Sequence, residues 1–372
     1  MDDVAYVEHG CQKYFPRTAW MDIRQGSGNS RVKSLPEISS EYRRRRAMSI
    51  LAIEAALLLV IVCVSLWRML SGDVDIPPHR VISLLYPFLP LDSEASLDAI
   101  VVRSVRLPRL LSALGAGASL GVAGVVLQGL LLNPMAEPYT LGIASGAAFG
   151  GALVISSSVM AVVPAAFIGA LAAMAAVYAI AERAGGGRVH IILAGVIVSA
   201  FLSAGVTFLK AVADERIGAI VLWLMGGFSG SSPLSAFAVW LAAAFSFFVS
   251  WLYGRHLDAV SLGEEAGASL GVDERNLRIL LLSAVSMSSA VAVSFFGIIG
   301  FVGLVVPHVM RMLTGSTHRP LLCCSFLGGA ALMAAADGAA QLCGELPVGV
   351  ITAMIGAPFF CWLLARRRMS NF

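Results

Sequence analysis

Six ionisable residues interrupt the apolar runs of this sequence or stand at their ends: Glu54, Glu137, Lys210, Arg311, Asp337 and Glu345. Such groups could relay protons, pair with one another or hold an ion. In lipid each costs about 2.5–3.5 kcal/mol at mid-depth. Most stand near the ends of apolar runs, where an interfacial position is the plainer reading. No carboxylate array recurs from run to run, as a proton relay would need. His9, His79, His190, His256, His308 and His318 are scattered and form no HExxH. No Gly-Lys pair occurs, so there is no phosphate-binding P-loop. Cys11, Cys63, Cys323, Cys324, Cys343 and Cys361 show no CxxC spacing and read as small buried hydrophobes. The sequence therefore assigns no catalytic residue and no metal ligand.

The elements that must position these groups follow from composition. Of 372 residues, 58% are hydrophobic and 13% charged, where soluble domains carry about 25% charge. A soluble core of this size could not hide that much apolar surface. A net charge of +3 does not suggest a nucleic-acid partner. The lipid bilayer is the expected solvent, and the fold class is an all-α polytopic membrane protein.

Windows of about 20 apolar residues fall near 48–70, 107–132, 139–160, 161–182, 189–212, 234–254, 276–296, 298–314, 321–342 and 346–365. That predicts about ten transmembrane helices in a domain over 47–368. Residues 217–229 are apolar but too short to cross, and predict a re-entrant or surface helix. Lysines and arginines concentrate on one side of this layout, fourteen against seven, which places both termini in the cytoplasm. Residues 1–46 are polar, end in Arg43 to Arg46, and read as a disordered cytoplasmic tail with a positive anchor, not a signal peptide.

Small residues four apart, at Gly117 and Gly121 and again at Gly142, Gly146 and Gly150, predict close helix packing in lipid. Between those two groups lies the kinked stretch Asn133-Pro134-Met135-Ala136-Glu137-Pro138, whose prolines forbid a continuous helix. The loop over 255–275 holds LGEEAGASLG, in which Leu262 and Leu270 bracket a short helix between Gly263 and Gly271. Glu264 and Glu265 suit its first turn. The loop is either a solvated surface helix or a knob that engages a soluble partner.

Five blocks together resemble one family. They are Arg106-Leu107-Pro108-Arg109, Gln128 through Gly151, Leu262 through Gly271, Gly300 through Arg311 and Glu345 through Phe360. In order and content they resemble the FecCD-type permeases of iron–siderophore, haem and cobalamin ABC importers. The resemblance implies a cobalamin-importer-permease-like bundle that works as a dimer, expected to be a homodimer, in the bacterial inner membrane. It implies two separate ATPase subunits and a periplasmic or surface substrate-binding protein. ATP would bind the partner, and this chain would hold no cofactor. By the same resemblance, Asn133 and Met135 match a cytoplasmic gate, with Arg188 and Val189 as a second gate element. Leu262, Gly263, Glu264, Glu265, Ala266, Leu270 and Gly271 match the coupling helix that receives motion from the ATPases. Arg106 and Arg109 match arginines that dock carboxylates of the binding protein. Family members often carry a further arginine where this chain has Gln341.

Two other classes compete with this reading. An ion-coupled secondary transporter of a small hydrophilic solute would share the span count, but the missing carboxylate array speaks against it. A membrane scaffold needs neither the kinked turn nor the knob. Siderophore, haem, cobalamin and oxyanion importers share this plan, with selectivity resting on the binding protein and a pathway lined by small and apolar residues of the fifth span.

Overall fold

The computed structural model describes residues 35–72, 74–85, 95–157 and 161–369. The first 34 residues of the expected tail lie outside that set. Among the described residues every regular element is helical. Two units divide between Ser49 and Ile50. In the first, residues 35–46 are helical where the sequence predicts tail, and Arg45 pairs with Glu41 one turn back at 2.7 Å.

The helices are α1 (Leu35–Leu70), α2 (Pro78–Leu85), α3 (Ala95–Ile100), α4 (Leu107–Leu130), α5 (Ile143–Ser156), α6 (Val162–Arg183), α7 (Arg188–Val212), α8 (Ile217–Met225) and α9 (Pro233–Leu252). They continue with α10 (Gly254–Val260), α11 (Glu264–Ser269), α12 (Glu274–Phe296), α13 (Val302–Thr314), α14 (His318–Leu342) and α15 (Val348–Met369). Among the described residues, seven stretches are long and apolar enough to cross a bilayer, and three shorter apolar helices are α5, α13 and the first part of α15. These match the ten runs read from sequence.

Two boundaries differ, each for a local reason. The second span does not begin at 107: a π-helical stretch, Val101–Arg106, joins α3 to α4, so one continuous span runs Leu97–Leu130. The third starts only at Ile143, because Pro138 opens a 3-10 turn and Gly142, at φ 81°, breaks the axis. The short apolar run after α7 becomes α8, whose Ile220 is fully buried.

The centre of the bundle is α4, with 94% of its apolar window inside the protein. It packs against α9, α12, α13 and α14. Its glycines explain how so many helices reach it. A Cβ on Gly117 would run into the Gly329 carbonyl, one on Gly121 into that of Ser325, and one on Gly124 into that of Gly303. The pair α5–α6 repeats the device, with Gly146 against Gly169 and Gly150 against Ala165. In lipid such close van der Waals approach drives association where hydrophobicity cannot. Inside, Ser119 and Ser288 share a hydroxyl–hydroxyl bond of 2.6 Å between α4 and α12.

Successive spans alternate in direction, so the C terminus of α4 and the N termini of α7 and α12 share one face, the arginine-rich one. The N terminus of α4 and the C termini of α1 and α14 share the opposite face.

Candidate functional site

The kinked turn lies on the arginine-rich face. Leu132 takes a left-handed φ of 46°, and the Asn133 side chain then accepts the Met135 N–H at 2.9 Å. The Asn133 carbonyl accepts Ala136 N–H at 3.0 Å. Thr140 closes the next turn: its hydroxyl donates to the Glu137 carbonyl at 2.8 Å and accepts the Glu137 N–H at 3.3 Å. These local bonds replace part of the helical bonding that the break removes.

The same turn is braced from the side. Tyr139 donates its hydroxyl to the Ile299 carbonyl and accepts the Ile299 N–H at 2.7 Å. Gln128 donates to the Gly303 carbonyl at 3.2 Å. Glu137, between its two prolines, meets the N–H of Phe301, the residue that caps α13. A carboxylate there suits the positive end of the helix dipole. Burial nevertheless pushes the Glu137 carboxyl up to about 7, against the pull of that N–H. Met135 is 42% exposed, an uncommitted side chain at the tip of a rigid turn.

The second expected gate element is held differently. Arg188, the first residue of α7, forks onto Glu274 with two 3.0 Å bonds, and Val189 is exposed. Arg188 is therefore engaged by α12. The loop before it is Ala184 to Gly187, with φ of 117° at Gly185 and 72° at Gly186.

The expected short helix in the 255–275 loop is α11. Gly263 enters it at φ 118° and Gly271 leaves it at φ 77°, conformations that disfavour side chains. Leu262 and Leu270 protrude, 74% and 65% exposed, Glu265 is exposed, and Ala266 is half-buried. The helix rests on α10, which His318 and Asp258 tie to α14 through a 2.7 Å contact.

On the opposite face, the arginines expected to dock a binding protein have partners within the chain. Arg106 is 8% exposed and donates to the carbonyls of Met69, at 2.8 Å, and of Val74. Arg109 is equally buried. It bonds both oxygens of Asp337, at 2.9–3.2 Å, and both of Glu345, at 2.8 and 2.9 Å. Both guanidiniums are thus engaged by neighbours within the chain. Gln341, where an arginine was expected, accepts from Arg68, and Arg68 also bonds Asp337 at 2.5 Å. The last turn of α1 thus delivers a guanidinium to this cluster. Hydrogen bonding from Arg109 holds the Glu345 carboxyl below its ordinary range. Glu345 itself sits at φ 61°, so the pairing is kept at some backbone cost.

Sequence reasoning found Asp337, Glu345 and the arginines singly but missed Arg68 as a partner. It also missed Glu182 and Glu274 entirely. Their only signal was charge at predicted helix ends, which says nothing about pairing.

A cavity of about 370 Å³ opens between α5, α7 and α8, lined among others by Tyr139, Ser145, Ser203, Thr207 and Lys210. The fifth span therefore contributes hydroxyls and one lysine as well as small and apolar side chains. Among the described residues, no cluster of three or more histidine, cysteine, aspartate or glutamate side chains could hold a metal ion.

A bundle of alternating apolar helices, a braced break after the second span and an exposed short helix bounded by glycines define a multi-pass membrane permease. The chain belongs to the FecCD transport family, which residues 57–366 match. It is 43% identical over 275 residues to the cobalamin import system permease protein BtuC of Halobacterium salinarum, covering 73% of this chain and 74% of that one. It is 40% identical over 280 residues to a probable iron chelatin transport system permease protein of Helicobacter pylori, covering 74% and 86%. A solved structure described as an inward-facing conformation of an ABC transporter of metal-chelate type superposes with a TM-score of 0.75 at 31% identity, over 85% of this chain and 99% of that chain.

Proposed function

We propose that this chain is the permease subunit of an ATP-binding-cassette importer that moves a metal chelate, an iron–siderophore, haem or cobalamin, into the cytoplasm. Two copies pair as a homodimer in the bacterial inner membrane, with both termini cytoplasmic. Two separate ATPase subunits bind the arginine-rich face, and a periplasmic or surface substrate-binding protein delivers cargo to the opposite face. ATP stays on the partner, and this chain carries no cofactor.

The observation behind this reading is α11, a short helix hinged by Gly263 and Gly271 that holds Leu262 and Leu270 out of the protein. Two exposed leucines on a hinged knob suit the groove of a soluble partner. Leu262, Gly263, Glu264, Glu265, Ala266, Leu270 and Gly271 are the proposed ATPase contact. Asn133 and Met135, with Arg188 and Val189, are the proposed cytoplasmic gate. Docking of the delivery protein at Arg109 would require its carboxylate to replace that of Glu345, whose side chain is 41% exposed.

The test is uptake into proteoliposomes that hold the permease and its cognate ATPase, with the cognate binding protein outside. Labelled ferric hydroxamate, haem and cobalamin serve as probes. Uptake of one probe should need internal ATP and survive an uncoupler. Uptake without ATP that collapses with the uncoupler would instead establish an ion-coupled transporter.

A further inference from the structure

The arginine-rich face carries an ion-pair cluster that the gate and the knob do not themselves explain. Glu182 lies two residues before the glycine loop, and Arg188 directly after it. Both are bonded to the first turn of α12. Arg188 forks onto Glu274 at 3.0 Å on each arm, with side chains only 12% and 20% exposed. Glu182 accepts from Arg275 at 2.9 Å and from Tyr178 at 3.0 Å. Arg278 completes the cluster, 3.9 Å from Glu182 and 3.7 Å from Glu274. Residues 274, 275 and 278 occupy a single turn, so one turn of α12 grips both ends of the loop Ala184 to Gly187.

That turn of α12 also follows α11 closely in sequence. Only Leu270 to Asp273 separate them, and Asp273 caps α12 by accepting the Asn276 N–H at 3.1 Å. The segment is short and capped, so it leaves little slack. The loop on the other side has two positive-φ glycines in succession and can change shape without side-chain strain. A four-residue link, turned by Gly271 and ending in a capped helix start, therefore leads to a loop with two positive-φ glycines.

We infer that Glu274 and Glu182 are positioning residues that couple the ATPase-contact helix to the gate loop, through Arg188 on one side of that loop and Arg275 on the other. This rests on the function proposed above. Displacement of α11 by the ATPase shifts the first turn of α12, and the two pairs carry the shift to both ends of the glycine loop. Bidentate geometry matters because a fork transmits rotation as well as translation, which a single lysine contact would not.

The experiment measures ATP hydrolysis and cargo uptake in the same proteoliposomes, containing the full permease, its ATPase and loaded binding protein. Wild type is compared with Glu274→Gln, Glu182→Gln, Arg188→Lys and the swap Arg188→Glu with Glu274→Arg. Glu274→Gln should keep hydrolysis near wild type while uptake falls about tenfold, the effect of losing a modest site-to-site coupling. The hydrolysis-to-uptake ratio should rise accordingly. Arg188→Lys should fall between the two, and the swap should recover much of the lost uptake. Should one variant fail to fold, Glu182→Gln reads the same link independently. If both rates fall in parallel with thermal stability, or neither changes, the pairs are helix staples and the inference is wrong. A wild-type system that shows no ATP-driven uptake would instead defeat the underlying function.

Discussion

Asp337 is fully buried near the end of α14 and holds two guanidiniums, those of Arg68 and Arg109. Those side chains are themselves only 6% and 10% exposed. Asp337→Asn preserves shape and removes one charge, leaving two buried cations with the single carboxylate of Glu345. Breaking a buried ion pair from one side costs about 3–5 kcal/mol, since the abandoned charge cannot regain its water. At about 2–4 °C per kcal/mol for a domain of comparable size, the transition should drop by about 10 °C. The assay is thermal unfolding of the purified permease in one detergent at one scan rate, because membrane proteins often unfold irreversibly. The double variant Asp337→Asn with Arg68→Met removes a cation together with the anion. It should regain at least half the loss, a non-additivity expected of contacting groups. A drop under about 2 °C for Asp337→Asn, or a double variant as unstable as the sum of its parts, would refute the view that this cluster is a balanced internal network.

Three further outcomes follow from other parts of the fold. Gly124→Ala sets a Cβ against the Gly303 carbonyl and should destabilise the bundle by about 1–3 kcal/mol, read by the same melts. Glu137 has a folded pKa raised to about 7 against an ordinary 4.5, so its contribution is full below pH 4.5 and is lost as pH rises toward 7; Glu137→Gln should flatten that part of the stability–pH curve. Leu270→Asp leaves the core untouched and should cut co-purification with the ATPase about tenfold or more, the cost of losing one buried leucine at an interface, with the melting temperature unchanged.

The apolar runs were legible because a bilayer demands length and continuity, and both are local properties of a sequence. Glycine spacing carried the packing of α4 for the same reason: Gly117 and Gly121 lie one turn apart on one helix face. Gly263 and Gly271 likewise announced α11, since a short helix bounded by glycines needs no distant partner. What stayed hidden was set by residues far apart in the chain. Arg109 was legible as part of the Arg106-Leu107-Pro108-Arg109 block, but its carboxylate partner Asp337 lies 228 positions away. Nothing in the sequence pointed to a partner for Arg68; only α14 brings Asp337 beside it, 269 positions away. The carboxylate between Pro134 and Pro138 made sense only once Phe301 was seen to cap α13 next to it.

The most direct measurement is site-specific photo-crosslinking from position 265, the exposed glutamate of α11, in membranes holding the assembled transporter. The account predicts an adduct with the ATP-hydrolysing subunit, lost when Leu270→Asp is added. An adduct with a periplasmic protein, or with lipid alone, would contradict it.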